Sequence, residues 1–245
     1  MLISVRQLNV FWNVQPTGVL HVGAHEGEES ADYKNAGWKP VLWVEGLPDK
    51  AAELEKRFRH DADQQVVAAL VWDSDGAPLQ MNRTNNGQSS SVLPLGTHLV
   101  EHPSIHVVEE IQLTSSRLDS ILSSTQHRFD FVNLDIQGAE LRALRGLGDR
   151  IRDVRWVYCE VNEKPLYVGA SLMNEVDDYL DRFNFRRVDT EMTSHGWGDA
   201  LYVHDLVLPF APVWRRRLRR ISARVSVKQK TWGERVFSRS SSGHN

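Results

Sequence analysis

Cysteine is nearly absent: the 245 residues contain Cys159 and no other. One thiol cannot form an internal disulfide, so nothing points to an oxidising compartment, and a metal site built on paired cysteines is excluded. Set in the apolar run "VRWVYCEV", Cys159 reads as a packing residue rather than a nucleophile. No stretch of about 18 apolar residues occurs, which leaves no candidate membrane span. The opening "MLISVRQLNVFWNVQP" lacks the basic end and apolar core of a secretion signal, and the expectation is a cytoplasmic protein. What is present, 41% hydrophobic and 25% charged residues, suffices for one globular domain with a sizeable core.

Each part of the chain is short of charge of one sign. Residues 206–245 hold ten Lys and Arg against Glu234 alone, a net +9, which leaves −12 on residues 1–205 of a chain whose total is −3. That shift marks a boundary near Asp205 between an acidic body, 1–205, and a basic tail, 206–245. In "VWRRRLRRISARV", Trp214, Leu218, Ile221 and Val225 recur at helical spacing opposite the arginines. A helix of that type lies on an anionic membrane surface, so residues 213–230 are expected to give peripheral membrane association. Docking of the tail onto the acidic body and a tail without fixed structure are the competing readings. Nucleic acid is not expected as a partner, because few aromatics interleave the basic residues and the body is acidic.

Within the body, "GVLHVG" (18–23), "PVLWVEG" (40–46), "QQVVAALV" (64–71), "FDFVNLDI" (129–136) and "VRWVYCEV" (154–161) are near-continuous apolar runs. Such runs suit parallel strands covered on both faces. Amphipathic stretches lie between them: "GEESADYKNAG", "LPDKAAELEKRFRH" and "GAELRALRGLGDRI". The alternation predicts an α/β fold with a mainly parallel sheet and right-handed crossovers. After the helical "SLMNEVDDYLDRF" come "NFRRVDT" and "GDALYVH", two strands with no helix between them and hence a terminal antiparallel hairpin. Residues 73–105, rich in Ser, Asn, Gly and Pro, read as a long functional loop.

Ligands of open α/β sheets bind beyond the carboxyl ends of the strands, where the strand order reverses. Gly23 and Gly27 bracket a strand-to-helix turn at such an edge, "GAHEGEES". A triphosphate loop would need Lys and then Ser/Thr after the last glycine, and the turn has neither. A dinucleotide turn would want G-x-G-x-x-G, whereas this spacing is G-x-x-x-G and Glu26, Glu28 and Glu29 crowd the place a diphosphate would occupy. An NAD-dependent oxidoreductase is therefore a distant reading. A ligand without phosphates, carrying a sulfonium and an ammonium, fits the acids better. Glu45 closes the second strand 22 residues beyond Gly23, about where an acid accepts hydrogen bonds from ribose hydroxyls.

"VLHVGAHEGEES", "VLWVEGLPD", "NGQSSSVL", "SSRLDSIL", "FDFVNLDIQGAELRALRG", "YCEVNEKPLYVG" and "TSHGWGDALYVH" together resemble the FkbM-type methyltransferase family, in order from about residue 18 to 204. The resemblance implies a Rossmann-like class I methyltransferase fold, with a seven-stranded, mainly parallel sheet whose last strand is antiparallel. It implies S-adenosyl-L-methionine as cofactor and methyl transfer to an oxygen, commonly a hydroxyl of a sugar, glycolipid or natural product. On the matching positions, Gly23, Ala24, Gly27 and Glu45 would hold the cofactor, with His25 in the same turn and Asp135 beside the sulfonium end. The segment holding Gln88, Ser89 and Ser90 would lie near cofactor and acceptor. Two departures are Asn133, where the family often has lysine, and His21, which sits within the first strand and reads as a satisfied core histidine.

Methyl transfer from a sulfonium has a neutral leaving group, so the enzyme must align the acceptor and take its proton. Candidates gather where the fourth and fifth strands end: Asp135 and Gln137 after one, Glu160 and Asn162 at the other. Either Asp135 or Glu160 is expected to be the base, with its partner, Gln137 and Asn162 orienting the acceptor. Glu140 in the first turn of a helix reads as a dipole-stabilising acid. His195 in "TSHGWGD" and His25 are rival bases, ranked below the acids. Tyr167 in "EKPLYVG" is a candidate stacking surface for a sugar ring. A divalent metal on Asp135 and Glu160 is compatible with the sequence but not demanded by it. The alternative function is a non-catalytic scaffold of the same fold that recruits partners to a membrane through its basic tail.

Overall fold

The computed structural model describes residues 1–208; the basic stretch 213–230 and the helix expected there lie outside the described residues. In chain order the elements are α1 (Val5–Trp12), β1 (Val19–Val22), α2 (Ser30–Ala36), β2 (Val41–Glu45), α3 (Pro48–Phe58), β3 (Gln64–Ala68), β4 (Leu70–Val71) and β5 (Pro78–Thr84). There follow α4 (His98–Glu101), β6 (Val107–Ser116), α5 (Leu118–Ser123), β7 (Phe131–Leu134), α6 (Glu140–Gly146), β8 (Trp156–Asn162), α7 (Met173–Asp181), β9 (Phe185–Met192) and β10 (Trp197–His204).

Local chemistry explains several boundaries. Pro48 occupies the first turn of α3, where its missing N–H costs nothing, and Ala51, Leu54 and Phe58 form the buried stripe behind it. Helix α1, not expected from periodicity, is started by a capping box in which Ser4 and Gln7 each bond the other's backbone. The runs read as buried strands are buried at every position of β1, β2, β7 and β8.

The main sheet has seven strands in the order β3-β2-β1-β7-β8-β10-β9. Pairings from β3 through β8 are parallel, whereas β10 runs antiparallel to both β8 and β9, so the terminal hairpin is present. The chain winds from β1 outward to β3 and returns on the other side of β1 as β7, placing the switch point between β1 and β7. One large apolar cluster, including Leu20, Val44, Val132, Leu144 and Val157, joins the sheet to its helices.

Two stretches differ from expectation. The run 64–71 divides: β3 belongs to the main sheet, and β4 joins a second, three-stranded sheet of order β4-β6-β5. That second sheet also orders part of 73–105, which was expected as loop. Strands β5 and β6 alternate poorly because most of their positions are only half-buried or exposed, with Met81, Asn82, Thr84 and Ser115 buried.

Register aligns the site. Val44 of β2 lies beside Val22 of β1, Val22 beside Leu134 of β7, and Leu134 beside Cys159 of β8. One residue further on stand Glu45, Gly23, Asp135 and Glu160, and Glu160 is paired across the sheet with Asp199 of β10. A single row at one edge of the sheet thus carries four acids and one glycine.

Candidate active site

A cavity of about 560 Å³ opens over this row, within the range of small-molecule sites. Gly23 stands at its floor with φ 85°, and a Cβ there would lie 1.8 Å from the Asp135 carbonyl oxygen. Only glycine permits so close a crossing of β1 and β7. The turn is tied to β2 by the Gly23 N–H, which donates to the Val44 carbonyl at 2.9 Å.

Glu45 locks the other side of the turn. Its two carboxylate oxygens accept from the backbone N–H groups of His25 and Leu47, each at 2.8 Å. Burial pushes its carboxyl up from the ordinary value despite those bonds. His25, at φ 44°, turns its ring toward Glu28, with Nδ1 and Oε1 2.8 Å apart. Ala24 and Gly27 lie behind the cavity wall: Ala24 is buried, and Gly27 abuts Leu54 and Phe58 of α3.

At the centre, Asp135 is exposed within the cavity and enclosed by protein elsewhere. That enclosure, with the charge of Asp199, pushes its carboxyl up to about 6. Glu160 is 8% exposed, and burial followed by the charges of Asp135, Glu140 and Asp199 holds it well above the ordinary range. Gln137 donates from its amide nitrogen to Asp135 Oδ1 at 2.8 Å and to Glu160 Oε2 at 2.9 Å. Asp199, not anticipated from the sequence, accepts from the Tyr158 hydroxyl and from the Leu2 N–H at 2.5 Å. Its signal lay only in the register between β8 and β10 that brings "GWGD" alongside "YCEV".

Glu140 does not reach the cavity. Its Oε1 accepts from the Ile136 and Gly138 N–H groups, both at 3.1 Å, so it clamps the turn after β7. His21 is the satisfied core histidine expected: buried, packed 4.7 Å from the Trp43 ring and 3.1 Å from the Tyr33 hydroxyl, with burial holding its pKa below the ordinary value. Asn133 donates to Tyr33 at 2.9 Å in the same cluster.

On the opposite wall, Asn86 to Ser91 close the cavity. Gln88 is exposed there, whereas Ser89 and Ser90 are largely buried, with hydroxyls that accept from Asn86 Nδ2 and the Thr84 N–H. Three expectations need correction. Tyr167 is 1% exposed in a cluster with Leu166 and Ala170, so its ring has no face free for stacking on a sugar. Asn162 is 0% exposed and lies behind Glu160 rather than on the wall. His195 is drawn off the cavity by Glu101, 2.8 Å from its Nδ1, and its neighbour His102 lines the wall instead.

The lining carries the carboxylates of Glu28, Glu29, Glu45, Asp135, Glu160 and Asp199 and, among the described residues, no lysine or arginine. Such a wall repels phosphates and attracts cations. No group of three or more His, Cys, Asp and Glu among the described residues is placed to hold a metal ion. No described helix is long and apolar enough to cross a membrane.

Among known proteins, the family described as "Methyltransferase FkbM domain" matches residues 21–187. The 2-O-methyltransferase NoeI of Sinorhizobium fredii (strain NBRC 101917 / NGR234) is 22% identical over 173 residues, covering 67% of this chain and 71% of that protein. Magnesium protoporphyrin IX methyltransferase from Synechocystis PCC 6803, solved with bound SAM, superposes with a TM-score of 0.49 at 13% identity, over 82% of this chain and 76% of that one. A SAM-dependent methyltransferase from Aquifex aeolicus superposes with a TM-score of 0.43 at 11% identity, over 76% and 81% of the two chains. With the family's match running from the first strand into the terminal hairpin, across the row that carries Gly23, Glu45, Asp135 and Glu160, the chain belongs to the FkbM methyltransferase family.

Proposed function

We propose that the chain is an S-adenosylmethionine-dependent O-methyltransferase acting on a hydroxyl of a glycan, glycolipid or natural product. The observation that carries this reading is the row Glu45, Gly23, Asp135, Glu160, Asp199 along one sheet edge, beneath a cavity lined by acids and by no described lysine or arginine. The chemistry that S-adenosylmethionine supplies when bound is an electrophilic methyl group whose departure leaves a neutral thioether. The acidic wall suits a sulfonium and an ammonium. Glu45 at the tip of β2 suits a ribose, and the adjoining apolar wall of Leu47, Leu70 and Met81 suits a flat base.

The chain's own residues do the remainder. Asp135, open to the cavity and titrating near 6, is ionised at neutral pH and takes the acceptor's proton. Glu160, whose carboxyl burial and its acidic neighbours push well above the ordinary range, orients the acceptor. Oxygen as the acceptor atom is supported by the 2-O-methyl transfer named for the NoeI relative.

Calorimetric titration with S-adenosylhomocysteine, with NAD as control, tests the cofactor site. Transfer of labelled methyl to a panel of glycans and glycolipids with free hydroxyls tests the acceptor. Asp135→Asn is expected to slow transfer by about 10²–10⁴-fold. A wild-type rate in that variant, or no binding of S-adenosylhomocysteine, would overturn the proposal.

A further inference from the structure

Gln137 is held more firmly than contact with an acceptor requires. It follows Asp135 in the turn from β7 to α6 at φ 54°, a left-handed conformation that side chains other than Gly, Asn and Asp seldom adopt. From there its amide nitrogen reaches Asp135 Oδ1 at 2.8 Å and Glu160 Oε2 at 2.9 Å, while its amide oxygen accepts from the Tyr167 hydroxyl at 2.7 Å. The main chain is pinned as well, because Ser91 Oγ donates to the Gln137 carbonyl at 2.8 Å. A primary amide has two N–H donors, and each meets one carboxylate. Reversed, the amide would turn its oxygen on two acids, so the acids select one orientation, in which the amide oxygen meets the Tyr167 hydroxyl, itself also 3.1 Å from the Ser89 carbonyl. Tyr167 cannot move aside, since its ring is locked among Leu166, Ala170 and Leu93.

We infer that Gln137 is a positioning residue: its amide holds the Asp135 and Glu160 carboxylates in one geometry, and the buried Tyr167 hydroxyl buttresses that amide. The inference rests on the proposed reading of Asp135 as the base. Around Asp135, Asp199 on β10 and Glu29 before α2 oppose its ionisation and the Met1 ammonium favours it, while Glu160 on β8 and Glu140 on α6 are themselves pushed up by the charge of Asp135. Gln137 is the neutral donor in this ring. A hydrogen bond to the ionised form favours that form, so Gln137 keeps Asp135 a base at neutral pH without adding a positive charge that would repel a sulfonium.

The test is titration of the Asp135 side-chain carboxyl by ¹³C NMR in full-length protein carrying labelled aspartate, with the resonance assigned by its loss in Asp135→Asn. Gln137→Met removes both donors at equal chain length, and the Asp135 midpoint is expected to rise by about one pH unit. Tyr167→Phe is expected to move it in the same direction by less. An unchanged midpoint in folded Gln137→Met would overturn the inference. Should that variant not fold, Gln137→Asn takes its place, since asparagine tolerates the left-handed backbone but is too short to reach both acids. The same rise is then expected, and an unchanged midpoint is again fatal. The titration needs neither acceptor nor methyl donor, so it is separable from the function itself: full methyl transfer by Asp135→Asn would sink the base assignment whatever the midpoint does.

Discussion

Replacing Glu140 with glutamine is expected to stabilise the protein, increasingly so as the pH rises. The side chain is 2% exposed, its Oε1 accepts the Ile136 and Gly138 N–H groups, and its carboxyl also lies against its own backbone N–H. An amide oxygen can accept both bonds as well. What the substitution removes is a charge that burial, with Asp135 adding to it, makes costly, the carboxyl being pushed from its ordinary 4.5 up to about 7. A raised folded-state value means that the native state binds more protons than the unfolded chain between those two pH values. Stability contributed by this group is therefore present below about pH 4.5 and is lost as the pH rises toward 7. At about 1.4 kcal/mol per pH unit, the ionised carboxylate costs at most about 3 kcal/mol at pH 8. For a domain of this size that corresponds to roughly 6–12 °C in Tm. Differential scanning calorimetry of both proteins from pH 5 to 8 reads the gap directly. It should be no more than about 3 °C at pH 5, widen through neutrality and level off above it. A gap independent of pH, or a variant less stable than wild type at pH 8, would refute the argument. Methyl transfer should survive the change, because Glu140 is not on the cavity wall.

Gly23→Ala would drive a Cβ to within 1.8 Å of the Asp135 carbonyl at φ 85°, and calorimetry should show S-adenosylhomocysteine affinity reduced by roughly 100-fold or more; wild-type affinity would mean the close crossing is not needed. Glu45→Gln leaves one oxygen for the His25 and Leu47 N–H groups, so one buried donor faces an NH₂ group. A loss of about 1–3 kcal/mol in denaturant unfolding is expected, together with weaker cofactor binding. Substituting glutamine for Arg215, Arg216, Arg217, Arg219 and Arg220 in the full chain should abolish sedimentation with anionic vesicles and spare S-adenosylhomocysteine binding; equal sedimentation of both proteins would exclude the basic segment as a membrane anchor.

Much of the main sheet was legible because its central strands are buried on both faces, and "VLHV", "VLWVE", "FVNL" and "WVYCEV" therefore read as apolar runs. Strands β5 and β6 were not legible, since a small, half-solvated sheet leaves a mixed polar pattern that resembles loop. Gly23, Glu45 and Asp135 could be found because turn chemistry and spacing along the chain are local properties. Tyr167 and Asn162 lie next to the site in sequence but burial takes them off the cavity wall, so they meet Gln137 and Glu160 from behind, and a contact with Glu101 draws His195 off the cavity.

The sequence by itself determined the class of fold, the glycine turn and the acids at the strand ends, all of which depend on residue type and short-range spacing. Tertiary structure alone decided which acids meet. Asp199 reaches Glu160 only through the antiparallel register of β10 on β8, and the ring of Asp135, Gln137, Glu160 and Tyr167 closes only when β7, β8 and the turn after β8 are packed together. Proton affinity follows from that packing, because it depends on exposure and neighbouring charge in three dimensions, neither of which is written in the order of the residues.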